Sequence, residues 1–308
     1  MSYFILFLAV LCIAVQFSVN KVYQKKFARG MKDIFFFTFA GATVNIIFFT
    51  LLGLVLYGRL PDFSMFSLTM SIILAIIGTL TAIVGILIMK YGKISVYSIF
   101  MMLGGMLLPY FYGVILLNEN ISAPRVAGLV ILICALPCSV INPAGKNAKA
   151  DNNAPSKIYY ILCICIFILN GAASTTAKTH AINDMAIPAT NLVVYANFWS
   201  MIMNGAAYFI FARRAKNIAA VNIAEIKPNK IYAILTAAVC ATIGGTGFLF
   251  QLIAAKNVPA VALYPFITGG TIVLSSICAR IFFKEKISKP ALAGIIMSIC
   301  GTLLFLID

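Results

Sequence analysis

Reactive side chains are few in this chain of 308 residues, and their positions say more than their number. The eight acids, Asp33, Asp62, Asp151, Asp184, Asp308, Glu119, Glu225 and Glu285, all fall between apolar stretches, at their ends or at the terminus. His180 is the only histidine. The eight cysteines, Cys12, Cys134, Cys138, Cys163, Cys165, Cys240, Cys278 and Cys300, sit inside apolar runs as small hydrophobes, and none forms a C-x-x-C pair. An enzyme needs a nucleophile beside a base, or three or four convergent metal ligands, and neither spacing occurs. A phosphate-binding G-x-x-x-x-G-K-[ST] loop is also missing, so the reading is not an enzyme, with no metal, no cofactor and no ATP. What remains is hydrogen-bonding chemistry within apolar sequence. Gln16 and Asn20 are four residues apart, and Asn170, Ser174 and Lys178 repeat that spacing twice, so each set shares one helix face. In lipid such groups need a partner or water. Interhelical hydrogen bonds and contact with a polar solute satisfy that need equally well.

The elements that carry these residues follow from composition. With 62% apolar and 10% charged residues and a mean hydropathy of +1.03, the chain lacks the charge that covers a soluble surface, which is about 25% in ordinary globular proteins. It reads as an all-α integral membrane protein whose solvent is a lipid bilayer. Apolar stretches of spanning length fall at 3–19, 34–57, 67–89, 94–117, 123–141, 157–176, 188–211, 231–253, 259–283 and 289–307. The first lacks a basic n-region and a cleavage site and is expected to be a retained span. The formal charge of +15 invites a nucleic-acid reading, but the 23 basic residues form short clusters between apolar stretches and no contiguous basic surface. Nucleic acid is therefore not an expected partner, whereas monomer and homodimer both remain open.

The basic clusters report orientation instead. Only Arg59, Arg125, Lys178 and Lys256 lie after the second, fourth, sixth and eighth stretches; the other 19 of the 23 lie after the odd ones. The positive-inside rule then puts the odd loops in the cytoplasm and both termini outside. Residues 142–156 (NPAGKNAKADNNAPS) are the most polar segment and divide the chain into 1–141 and 157–308. The two halves repeat. An offset of 166 residues lays Ile77-Gly78 on Ile243-Gly244, Lys90 on Lys256, Gly104 on Gly270, and Glu119, Ile121, Ser122, Pro124 and Gly128 on Glu285, Ile287, Ser288, Pro290 and Gly294. A weaker offset of 157 lays Tyr3 on Tyr160 and Lys21 on Lys178. Since five is odd, equivalent helices must cross in opposite directions, the inverted-topology repeat of many secondary transporters. Ser122 and Ser288 are placed to cap the fifth and tenth helices, with Glu119 and Glu285 beside those N-termini, in a structural or a coupling role. Gly104-Gly105 and Gly269-Gly270 either let helices approach closely or let them bend as hinges. Lys178 and Lys21 either snorkel to head groups or, for Lys178, attract an anionic solute.

The two copies of E-x-I-S-x-P-x-x-x-G, Glu119–Gly128 and Glu285–Gly294, together with Tyr264-Pro265 ahead of Gly269-Gly270, resemble the EamA-type members of the drug/metabolite transporter (DMT) superfamily. The resemblance implies transport of a small polar metabolite, with the first, third and fourth helices and their counterparts in the second half lining a central cavity. Gln16, Asn20, Thr79, Thr81, Tyr97, Asn170, Ser174, Lys178, Thr246, Gln251, Tyr264 and Thr268 then become candidate solute contacts. The Trp-Gly pair of the family's first helix is absent, with Val15-Gln16 in its place, and the cytoplasmic termini usually drawn for the family oppose the charge count. Small multidrug transporters of the superfamily place a glutamate in the first helix; here no helix centre holds an acid, which favours a neutral, zwitterionic or anionic solute over the alternative of multidrug export. The expected location is a plasma membrane, the inner one of a bacterium.

Overall fold

The structure, a computed structural model, describes residues 2–27, 30–91, 94–140, 157–218, 230–283 and 289–306. Among the described residues there are ten helices and no strand. They are α1 (Ser2–Lys26), α2 (Met31–Tyr57), α3 (Met65–Tyr91), α4 (Ile94–Leu116), α5 (Ala123–Val140), α6 (Lys157–Ile182), α7 (Ala189–Ile218), α8 (Lys230–Ala255), α9 (Ala260–Phe283) and α10 (Lys289–Leu304). Each falls on one of the ten expected stretches. Three run well past them, α1 to Lys26, α6 to Ile182 and α7 to Ile218. Hydropathy marks where a helix leaves lipid, whereas the backbone ladder continues until a breaker or a competing partner stops it. The junction at 142–156, Glu285 and Asp308 lie outside the described residues.

Seven helices contain stretches long and apolar enough to cross a bilayer, in α1, α2, α3, α4, α6, α8 and α9. The apolar parts of α5 and α10 are shorter, Ala123–Cys138 and Lys289–Leu304. The helix α7 carries Asn191, Asn197 and Asn204 and ends among basic residues, which lowers its hydropathy. Phe4, Ile47, Leu51, Val55, Ile115, Ile161 and Ile296 are exposed on the outside of the bundle. A water-soluble protein would bury such a belt, and a bilayer covers it.

Packing pairs α2 with α7, α5 with α10, and α4 with α9. It also sets α1 against α8 and α9, α6 against α3 and α4, α2 against α8, and α3 against α7. The helix α9 is the most enclosed, with 56% of its apolar stretch buried against 22 to 33% in the other six. Val261, Leu263, Tyr264 and Ile272 of α9 join Leu6, Met106, Leu132, Leu136 and Phe305 in the largest apolar core. A second core joins Phe49, Ala177, Leu192 and Leu249 from α2, α6, α7 and α8.

Candidate functional site

At the end of the bundle that carries the turns after α2, α4, α6 and α8, buried charged and polar side chains bond from one helix to another. The chain turns from α8 into α9 through Lys256–Pro259. A helix start leaves its first N–H groups without intrahelical acceptors, and a helix end leaves its last carbonyls without donors. At this turn both deficits are met by two side chains from elsewhere. Lys178 of α6 donates through Nζ to the Ala255 and Val258 carbonyls, each at 2.8 Å. Glu119, in the turn after α4, accepts from the Ala260 and Val261 N–H groups at 2.8 and 2.9 Å, one on each carboxylate oxygen. The two charges lie 3.9 Å apart, with the Lys178 side chain 4% and that of Glu119 13% exposed. Pro259 caps the next positions of α9 through its carbonyl, to Ala262 and Leu263 at 3.1 and 2.9 Å.

Both charged residues are held in place. The Glu119 N–H donates to the Gly113 carbonyl at 3.0 Å, which folds the turn back over the end of α4. Its carboxylate lies so close over Gly113 that a methyl there would meet Glu119 and, at 3.0 Å, Ala260. One turn before Lys178, the Ser174 carbonyl accepts the buried hydroxyl of Tyr264, one turn into α9. Gln251 neighbours that hydroxyl from α8.

A second polar group closes the same end. Ser67 of α3 accepts the Ile187 N–H at 3.1 Å and pairs with His180 Nε2 at 3.0 Å. Phe66 stacks on the His180 ring. Ser64 donates to the Met185 carbonyl at 2.9 Å, and Thr179 donates to the Tyr112 hydroxyl at 2.9 Å. Beside this group a pocket of about 620 Å³ opens between the end of α2, the turn after α6 and the end of α8; His180, Asp184, Thr190 and Lys256 contribute to its lining.

The expected solute contacts divide among several places. Ser174, Lys178 and Tyr264 come together in the cluster around Glu119. Gln16 packs over Gly244 at the contact of α1 with α8, and its carbonyl accepts the Cys240 thiol at 3.7 Å. Asn170 donates to the Met101 carbonyl at 2.7 Å and lies over Gly105, tying α6 to α4. Thr79 accepts from Asn204 of α7 at 3.2 Å, and Thr246 bonds back to the Thr242 carbonyl of its own helix at 2.8 Å. Thr268 is buried on α9, and Asn20 is half-buried on α1. The Tyr97 side chain, like Glu285, lies outside the described ones.

The paired glycines sit at close packing contacts. A methyl at Gly104 would overlap the Phe167 backbone of α6, one at Gly269 would meet Thr302 and Leu132, and one at Gly270 would come within 2.9 Å of Val10. Glu119, expected beside the N-terminus of α5, caps α9, and the Ser122 hydroxyl is buried without a hydrogen-bond partner. At the start of α5 the Ser122 carbonyl takes the Val126 N–H at 3.2 Å. Sequence reading missed the Ser67–His180 pair and the bond from Asn45 to Asn197 that links α2 to α7 at 3.2 Å. The signal for the second was a polar residue inside each apolar run, whereas Ser67 and His180 stand at the edge of theirs or beyond it.

Residues 158–307 match the model of the EamA-like transporter family. A solved crystal structure whose description names no function shares the fold, with a TM-score of 0.71 and 12% identity, over 99% of this chain and 98% of its own. Its likeness concerns the fold alone. No curated protein matches the chain.

Proposed function

The chain belongs to the EamA-like transporter family, membrane transporters of the DMT superfamily, through residues 158–307, and from that premise we propose that it carries a small polar metabolite across the plasma membrane by alternating access of two inverted five-helix halves. One observation carries the reading. Exchanging each helix with the one five places on carries the most extensive helix contacts into one another: α1 with α8 becomes α6 with α3, α1 with α9 becomes α6 with α4, and α2 with α8 becomes α7 with α3, while the smaller contacts of α6 with α8 and α5 with α9 have no counterpart of similar extent. The pairs α2 with α7, α4 with α9 and α5 with α10 map onto themselves. A twofold relation between the halves accounts for these contacts, the odd number of helices in each half puts its axis in the membrane plane, and rocking about it would expose a central site to each side in turn.

The solute reading is an amino-acid-like, neutral or anionic molecule. Its support is that every acid in the sequence falls between the apolar stretches, at their ends or at the terminus, so a lipophilic cation would meet no carboxylate midway. Half-buried Gln16, Asn20, Asn170 and Ser174 offer neutral donors and acceptors on helices α1 and α6, which the pseudo-twofold exchanges. Gln16, Asn20, Thr79, Tyr97, Asn170, Ser174, Lys178, Thr246, Tyr264 and Thr268 are the proposed lining, with both termini outside. Uptake of labelled amino acids, sugars and nucleosides into proteoliposomes of purified protein tests this. Flux of one solute class, saturable and competed by its unlabelled form, is expected. Absence of flux across the whole panel overturns the reading.

A further inference from the structure

We propose that Glu119 is a releasable latch between the two halves and that Lys178 is the anchor which keeps the α8–α9 turn folded while the latch opens. The inference rests on the alternating-access reading and names what holds the closed end in this conformation.

The two charges do different work because they come from different halves. Lys178 belongs to α6, in the same half as α8 and α9, and its two bonds to the Ala255 and Val258 carbonyls stay within that half. Glu119 follows α4 in the other half, and its two bonds to the Ala260 and Val261 N–H groups cross between halves. The α4 side is fixed by the Glu119 N–H to the Gly113 carbonyl, so motion of the α8–α9 hairpin away from α4 must break the carboxylate contacts. The Lys178 bonds survive where the end of α6 follows the hairpin away from α4, on which α6 packs.

The chemistry suits a contact that must hold when dry and release when wet. A carboxylate on two helix N-terminal N–H groups gains hydrogen bonds and the favourable end of the helix dipole. Pulled apart in a water-free interior, a carboxylate, two N–H groups and a share of an ammonium would be left unsatisfied, which is costly. Pulled apart with water entering, each group is hydrated at once. Opening of this end is therefore coupled to water entry from its own side, as a gate requires. The hairpin contributes only backbone atoms, so its four polar groups are satisfied the same way whichever side chains the turn carries.

The test places spin labels, introduced as noncanonical amino acids so that the eight native cysteines stay, at exposed Asn120 beside Glu119 and exposed Asn257 in the α8–α9 turn. Pulsed electron spin resonance on the full chain in nanodiscs then reads the distance across the latch. In Glu119→Gln one carboxylate oxygen becomes an NH₂ that cannot accept, and the ion pair is lost. The ratio of long to short distances should rise about tenfold or more, in line with the usual strength of bonds to a charged acceptor. In Lys178→Gln the carboxylate keeps its two N–H bonds and loses only the ion pair, so the ratio should rise less than in Glu119→Gln while the melting temperature falls. Asn204→Ala, which breaks a bond between α3 and α7 away from this end, should leave the distances unchanged. Unchanged distances in folded Glu119→Gln, or an equal shift in Asn204→Ala, would overturn the latch. The measurement needs no solute: a working latch without flux of any solute would sink the transport reading alone, and normal flux with unmoved distances would sink the latch alone.

Discussion

Whether Gly104 is a hinge or a contact is decided by replacing it with alanine. The methyl would overlap the oxygen, carbonyl carbon and Cα of Phe167, all backbone, so no side-chain rotation on α6 relieves it. The same face is pinned on either side, by Asn170 on Gly105 and by Leu108 on Gly171, so α4 and α6 must separate along their shared length. Overpacking of this kind costs about 1 to 3 kcal/mol. Separation also strains the Asn170 bond to the Met101 carbonyl, worth about 0.6 kcal/mol in membrane proteins. Against these stands the helix-propensity gain of alanine over glycine, about 0.8 to 1 kcal/mol. The net is a loss of about 0.5 to 3 kcal/mol. Gly78, exposed on α3, supplies the control, because a methyl there meets nothing within 4 Å and only the propensity gain remains. At about 2 to 4 °C per kcal/mol for a large chain, Gly104→Ala should melt about 1 to 12 °C below the parent and Gly78→Ala up to about 4 °C above it. Thermal melts read by size-exclusion chromatography in one detergent give both values. If Gly104→Ala melts with the parent while its flux falls, the residue is a hinge and the packing argument is wrong.

Other perturbations follow from the same contacts. Lys178→Met leaves the Glu119 carboxylate and two carbonyls without their ammonium; losing one member of a buried pair costs about 3 to 5 kcal/mol, so folded yield and melting temperature should both drop. Tyr264→Phe removes the bond to the Ser174 carbonyl and should cost about 0.5 to 1.5 kcal/mol, visible as a small fall in melting temperature and absent from Tyr232→Phe on the exposed face of α8. Reporter fusions after Asp308 and within 142–156 should report outside and cytoplasm respectively; a cytoplasmic C-terminus would overturn the orientation drawn from the basic residues.

The helices were legible because lipid imposes one rule on every residue that faces it, and a run of apolar side chains satisfies that rule without reference to any partner. Helix ends were less so. The ends of α1, α6 and α7 lie beyond the apolar runs because hydrogen bonding continues through Lys26, Ile182 and Ile218. That extension moves Lys178 from a helix end, where it would reach head groups, to a turn inside α6, where it meets α8. The polar faces of α1 and α6 were also legible from their spacing of four, but their partners were not. Asn170 bonds a backbone carbonyl and Gln16 lies over a glycine, and neither kind of partner leaves a trace in residue type.

The same limit explains why the clamp on the α8–α9 turn was invisible although both of its charged members had been singled out. A carboxylate that caps a helix does so through N–H groups that every non-proline residue possesses, so nothing in Ala260 or Val261 points to Glu119. Sequence nevertheless retains a second set of the parts. The offset of 157 carries Lys178 onto Lys21, and the offset of 166 carries Glu119 onto Glu285 and the turn at 256–259 onto 90–93. Because the turn contributes backbone only, conserving two side chains between the halves is enough to conserve the device. Inversion would put the second set at the opposite membrane face. Neutralising it should then weaken closure on that side and, through the shared equilibrium, lengthen the dwell in the conformation seen here. Glu285→Gln should therefore move the Asn120–Asn257 distances opposite to Glu119→Gln, and the double variant should return towards the parent ratio. Shifts of the same sign from both variants would mean that the two glutamates loosen the bundle without opposing one another, and the inverted-repeat argument would lose its mechanical content.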